Sequence, residues 1–176
     1  MIEYTVVDVE RCVWEHKKLF RFYVVAQTAF RPFNKTVQCI ERAHTDTEKA
    51  LRYALNCFSS EINYGHASRA KRKPHTYRPS SFCTIECFNA NALRDKTMHA
   101  NILIGNLPKF LTAQHVQTLF RHCWTEKAKQ ADDVHVTAFD GSDRLIGYTL
   151  KEGTKGNLSC WSVENTFIPR SALHTD

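Results

Sequence analysis

No stretch of this 176-residue chain approaches the ~20 consecutive apolar residues of a bilayer-spanning helix. A helical membrane protein is therefore not expected. The opening MIEYTVVDVERC is acidic and lacks the basic region of a secretory leader, so a cytoplasmic location is expected. There is no internal repeat, and no room for a helicase segment. Nor is there an array of paired cysteines. The seven present are odd in number and scattered. Only Cys83 and Cys87 lie close, as CxxxC, and no second pair completes a zinc pattern. Reduced, mostly buried thiols are the expectation.

What is present suits one packed domain over 1–176, with a basic loop at 66–81 and a short C-terminal tail at 169–176. The hydrophobic share is 43% and the aromatic share 11%, enough for a core at this length. The net charge of +6 and pI of about 9.0 favour a polyanionic partner.

FRFYVVAQTAF, at 20–30, is aromatic and β-branched and reads as a strand. Thr45-x-x-Glu48 is a capping box. Leu51, Leu55, Phe58 and Ile62 then recur at helical spacing until Asn63-Tyr64-Gly65. HASRAKRKPHTYRPSS, at 66–81, carries Arg69, Lys71, Arg72, Lys73 and Arg78. Pro74 and Pro79 argue there for a loop: either a solvated charged segment or an arm that contacts phosphates. FCTIECF (82–88) and the strand at 98–104, within MHANILIG, flank the turn-rich NANALRDKT and form a predicted hairpin. Thr112 caps a second helix whose inner face holds Val116, Leu119, Phe120, Cys123 and Trp124. VHVTAF (134–139) is a further strand, Asp140 to Asp143 a turn, and LIGYTLKEG a short helix. The tail reads as a strand fragment and a loose end. The order β–α–β–β–α–β predicts an α+β, ferredoxin-like (split βαβ) antiparallel sheet with helices packed on one face.

A strand alternates its faces, so His99 and Asn101 share one side of an otherwise apolar strand. The hairpin brings Glu86 beside that face. Tyr148 and Lys151 are three apart and share one face of the short helix. A carboxylate, an imidazole and an amide oxygen can hold Mg²⁺ or Mn²⁺, which polarises a phosphodiester. A tyrosine hydroxyl can attack phosphorus, with a lysine offsetting the developing charge. His115 and His122 are two turns apart, too far to share one ion.

In their order, VAQTAF, FCTIECF, MHANILIG, the helix containing Cys123-Trp124 and GYTLKE resemble the motifs of the HUH single-strand endonucleases. These are the rolling-circle replication initiators of small plasmids and filamentous phages, and the resemblance covers about 20–168. It implies that Tyr148 attacks a single-stranded DNA phosphodiester at a replication origin, leaving a 5′-phosphotyrosine and a 3′-hydroxyl for a polymerase. Glu86 and His99, with Asn101 as third ligand, would hold the Mg²⁺ or Mn²⁺, and Lys151 would assist Tyr148. Arg69, Lys71, Arg72, Lys73 and Arg78 would hold the nucleic-acid backbone, and a host helicase would open the strands. The chain departs from the family at Asn101, where a second His is usual, and its single Tyr suits one-tyrosine initiators.

Each residue also has an ordinary structural reading. His99 fits a hydrogen-bonded core histidine, Glu86 an exposed salt-bridged strand residue, Tyr148 a core tyrosine with its hydroxyl at the surface, and Lys151 a solvated lysine. The alternative function is a nicking-deficient module on the same fold, binding DNA or RNA or occupying another factor's nucleic-acid site. A weaker one is an interaction protein whose charge is incidental.

Overall fold

The computed structural model describes residues 4–30, 36–65, 67–86, 98–151 and 160–170. Helix α1 (Val6–His16) begins at a capping box in which the Thr5 hydroxyl accepts from the Asp8 amide and the Asp8 carboxylate accepts from the Thr5 amide. Strand β1 (Phe20–Gln27) leads to α2 (Val37–Ile62), then to α3 (Ala67–Arg72) and α4 (Pro74–Tyr77). Strands β2 (Ser80–Glu86) and β3 (His99–Gly105) follow, then α5 (Ala113–Arg121), a π-helical segment (His122–Lys127), β4 (Val134–Ala138) and α6 (Asp143–Leu150).

The sheet order is β2-β3-β1-β4, with every neighbouring pair antiparallel. β3 lies between the two strands joined by α2, and β1 between the two joined by α5. This is the expected split βαβ arrangement. α2 and α5 lie on one face with Val24, Ala26, Ile102, Ile104, Phe58 and Trp124 between them and the sheet. The second face is covered as well: Val9 and Val13 of α1 and Ile146 and Leu150 of α6 pack on Tyr23, Phe82 and Leu103.

Two local expectations are corrected. α2 starts at the Thr36 cap, not at Thr45, because Ala43, Thr47 and Leu51 continue the buried stripe at helical spacing. The Thr47 hydroxyl donates to the Ala43 carbonyl at 2.8 Å, inside the helix. The segment expected as a basic loop at 66–81 folds in large part into α3 and α4, and β2 already begins at Ser80. Pro74 is compatible because it occupies the first turn of α4, where its missing N–H has no intrahelical partner to lose. The hairpin turn at 89–97, Cys87 and the tail from 171 lie outside the described residues. Residues 161–167 form more than a loose end. They run along the outer edge of β2, with Ser81 and Phe167 exchanging backbone hydrogen bonds of 2.8 and 2.7 Å and the Ser162 amide donating to the Cys83 carbonyl at 3.0 Å. Asn165 and Ser162 also bind Glu48 of α2. No helix among the described residues is long and apolar enough to cross a membrane.

Candidate active site

Strand alternation decides what meets on the α6 face. Ala100, Ile102 and Ile104 point to the α2 side, so His99 and Asn101 point to the other. The register then sets Glu86 beside His99 and Thr84 beside Asn101 on β2, with Gln27 beside His99 and Val25 beside Asn101 on β1. α6 docks over these rows. The Thr84 hydroxyl donates to the Thr149 carbonyl at 3.1 Å, fixing the helix one residue from Tyr148.

At the centre lies Glu86, whose side chain is only 7% exposed. Its Oε2 is 2.5 Å from His99 Nε2 and 2.8 Å from Lys151 Nζ. Lys151 Nζ also lies 4.0 Å from the centre of the Tyr148 ring. The Tyr148 ring meets the Tyr23 ring edge-on at 6.3 Å and remains 45% exposed, open to a substrate. The structure therefore brings Glu86, His99, Lys151 and Tyr148 into one cluster on one face of the sheet.

Burial alone pushes the Glu86 carboxyl up, but hydrogen bonds and charge from His99 and Lys151 overcome it and hold the carboxyl below the usual 4.5. Burial likewise opposes the Lys151 ammonium, and Glu86 and Tyr148 overcome that to hold it above the usual 10.5. A lowered carboxyl stabilises the fold above its unfolded value and loses this as pH falls through the folded value. A raised amine stabilises below its unfolded value and loses this as pH rises through the folded value. The pair therefore contributes fully between 4.5 and 10.5. Glu86→Gln is expected to flatten the acid limb of the stability curve below pH 4.5. Thermal melts over a pH series check this, and parallel acid limbs for the two proteins would contradict it.

Asn101, the third expected ligand, is fully buried, and its Oδ1 accepts a 2.7 Å hydrogen bond from the Tyr23 hydroxyl. Burial, then the nearby Tyr148 and Glu86, push the Tyr23 phenol well above its usual value, so it stays a neutral donor. Tyr23 is the cluster member that sequence reasoning missed. It reads as one more core aromatic in FRFYVVAQ, and only the register puts its hydroxyl on Asn101.

A divalent ion can be tested against these donors. Glu86 Oε1 is buried and has no hydrogen-bond partner, beside the imidazole of His99. A hard oxygen with an open valence suits Mg²⁺ or Mn²⁺, which keep several waters and use few protein ligands, but His99 Nε2 is engaged by Glu86 Oε2 and would have to release it to join an ion. Among the described residues no group of three or more His, Cys, Asp or Glu side chains could hold a metal; an ion here would have only Glu86 and His99 of those residue types.

The basic residues are not beside this cluster. Arg69, Lys71, Arg72 and Lys73 are exposed on and just after α3. Arg78 is half-buried and stacks on Phe167 at 4.6 Å. All precede Ser80, whereas Glu86 closes β2, so some 20 Å of strand separates the two regions at ~3.4 Å per residue. His115 is engaged in the cap of α5 through Thr112. The chain matches no family model, no curated protein and no solved structure.

Proposed function

We propose that this chain is a replication-initiator-like protein that binds single-stranded DNA and nicks and joins it through a tyrosine–phosphate linkage. The placement of the Tyr148 hydroxyl, Lys151, Glu86 and His99 on one open face carries this reading. The phenolic oxygen of Tyr148 attacks phosphorus, and the bond from phosphorus to the 3′ oxygen breaks. The 3′ oxygen leaves with a proton, and the 5′ phosphate stays on the protein. Lys151 stabilises the phenol as it loses its proton. Glu86 and His99 are the residues that would hold Mg²⁺ or Mn²⁺, with the Asn101–Tyr23 pair behind them. Such an ion would supply Lewis-acid polarisation of the phosphodiester. Joining is the same exchange in reverse, with a 3′-hydroxyl attacking the phosphotyrosine. The test is a covalent protein–oligonucleotide adduct formed with Mn²⁺ on a wide set of single-stranded sequences. Its absence throughout the set would refute the reading.

One observation favours the alternative, a nicking-deficient module on the same fold. Lys151 and His99 both already engage Glu86 Oε2, and Asn101 has no imidazole to add. In that case strand binding persists without an adduct. In either case Arg69, Lys71, Arg72 and Lys73 track the strand at the far end of β2. Neutralising all four is expected to weaken binding and to reduce the slope of log K against log salt by up to roughly 3, at about 0.7 per single-strand phosphate contact. An unchanged slope in a salt titration would remove them from the interface.

A further inference from the structure

We infer that the cavity between α2 and the α3–α4 segment is a phosphate-binding site, taking a nucleic-acid backbone phosphate or the phosphate of a free nucleotide. It encloses about 510 Å³, within the range of small-ligand sites. Asn56 and Ser59 form its α2 wall, and Lys71, Pro74 and Arg78 its opposite wall. Two cations and no carboxylate line it. That distinguishes it from Arg69, Arg72 and Lys73, which do not line the cavity.

Two observations point to a ligand. Ser59 is 5% exposed, yet its Oγ has no hydrogen-bond partner. A buried hydroxyl left unmatched costs stability, so a group that supplies its partner is favoured there. Arg78 is half-buried and, among the described residues, has no ion-paired carboxylate. Its guanidinium carbon lies 4.6 Å over the Phe167 ring, a cation–π contact that uses the guanidinium face and none of its N–H donors. Lys71 adds a second positive charge, and Asn56 adds amide donors. A tetrahedral oxyanion matches this set of donors.

This inference does not depend on the tyrosine chemistry, and its test keeps the two apart. Calorimetry on the full chain would use inorganic phosphate and thymidine 5′-monophosphate. Lys71→Gln and Ser59→Ala are each expected to weaken binding about 5-fold in metal-free buffer, which leaves the proposed tyrosine site without its ion. Removing an unmatched hydroxyl does not harm an empty site, so Ser59→Ala should keep its melting temperature while losing affinity; a purely structural serine would show the reverse. Arg78→Lys keeps the charge but loses the fork, and should also weaken binding. A thymidine oligonucleotide that displaces phosphate identifies a strand as the source, and one that binds alongside it identifies free nucleotides. Absence of saturable binding to wild type, or wild-type affinity in both Lys71→Gln and Ser59→Ala, would overturn the inference.

Discussion

Gly105→Ala is expected to cost at least ~4 kcal/mol, a large fraction of the ~5–15 kcal/mol that holds a domain together. A Cβ built at Gly105 would sit 1.6 Å from the Leu19 carbonyl oxygen and 2.9 Å from Phe20 Cα. Both obstacles are backbone, so no rotamer change relieves them. The close approach arises because β1 has a register shift between Phe20 and Phe22 while Gly105 pairs with both Phe20 and Ser80. Arg21, at the shift, donates to the carbonyls of Leu107, Pro108, Lys109 and Leu111, pinning the chain that leaves β3. Making room would separate β1 from β3 at the centre of the sheet. For a domain of this size a fall in melting temperature of about 10 °C or more follows. Melting by circular dichroism within a few degrees of wild type would show that the approach is not as close as described.

The second large effect is chemical. Tyr148→Phe is expected to abolish the covalent adduct outright while leaving oligonucleotide affinity within about twofold. The substitution removes the oxygen proposed to bond to phosphorus and keeps the ring that packs edge-on against Tyr23. Tyr148 is nearly half exposed, so the loss of its hydroxyl leaves no buried group unmatched. Stability should therefore hold, which separates a chemical role from a structural one. A residual adduct in the Phe variant, resolved by denaturing electrophoresis, would move the nucleophile to another residue. Lost affinity without any adduct in wild type would make Tyr148 a stacking platform for bases, as the non-nicking alternative requires.

Periodicity made the central fold legible. Aromatic and β-branched content in FRFYVVAQ and the apolar run in HANILIG identified the two inner strands, and the helical spacing of Leu51, Leu55 and Phe58 identified α2. The Glu86–His99 pairing followed from a hairpin with in-register strands. What stayed hidden depended on relations that a linear reading does not carry. Helix α1 was announced only by Thr5-x-x-Asp8 and by Val9 and Val13 four apart, a signal obscured by its low overall hydrophobicity. Thr45-x-x-Glu48 imitates a helix start from inside a helix, since the same residues that cap can also face solvent within a long amphipathic element. The Tyr23–Asn101 bond depends on sheet register, as does the distance between the basic segment and Glu86. Nearness in sequence to β2 suggested that the cations flank the site, but a strand carries its two ends apart.

The strap at 161–167 has a consequence for biosynthesis. Its hydrogen bonds join Ser81 to Asn165, 84 positions later. Until that late segment emerges from the ribosome, β2 presents unpaired amides and carbonyls on its outer side, an invitation to neighbouring nascent chains. Truncations or internal tags placed before Trp161 would make that interval permanent, so soluble yield should track the integrity of these last contacts more closely than the integrity of the Glu86–Lys151 cluster.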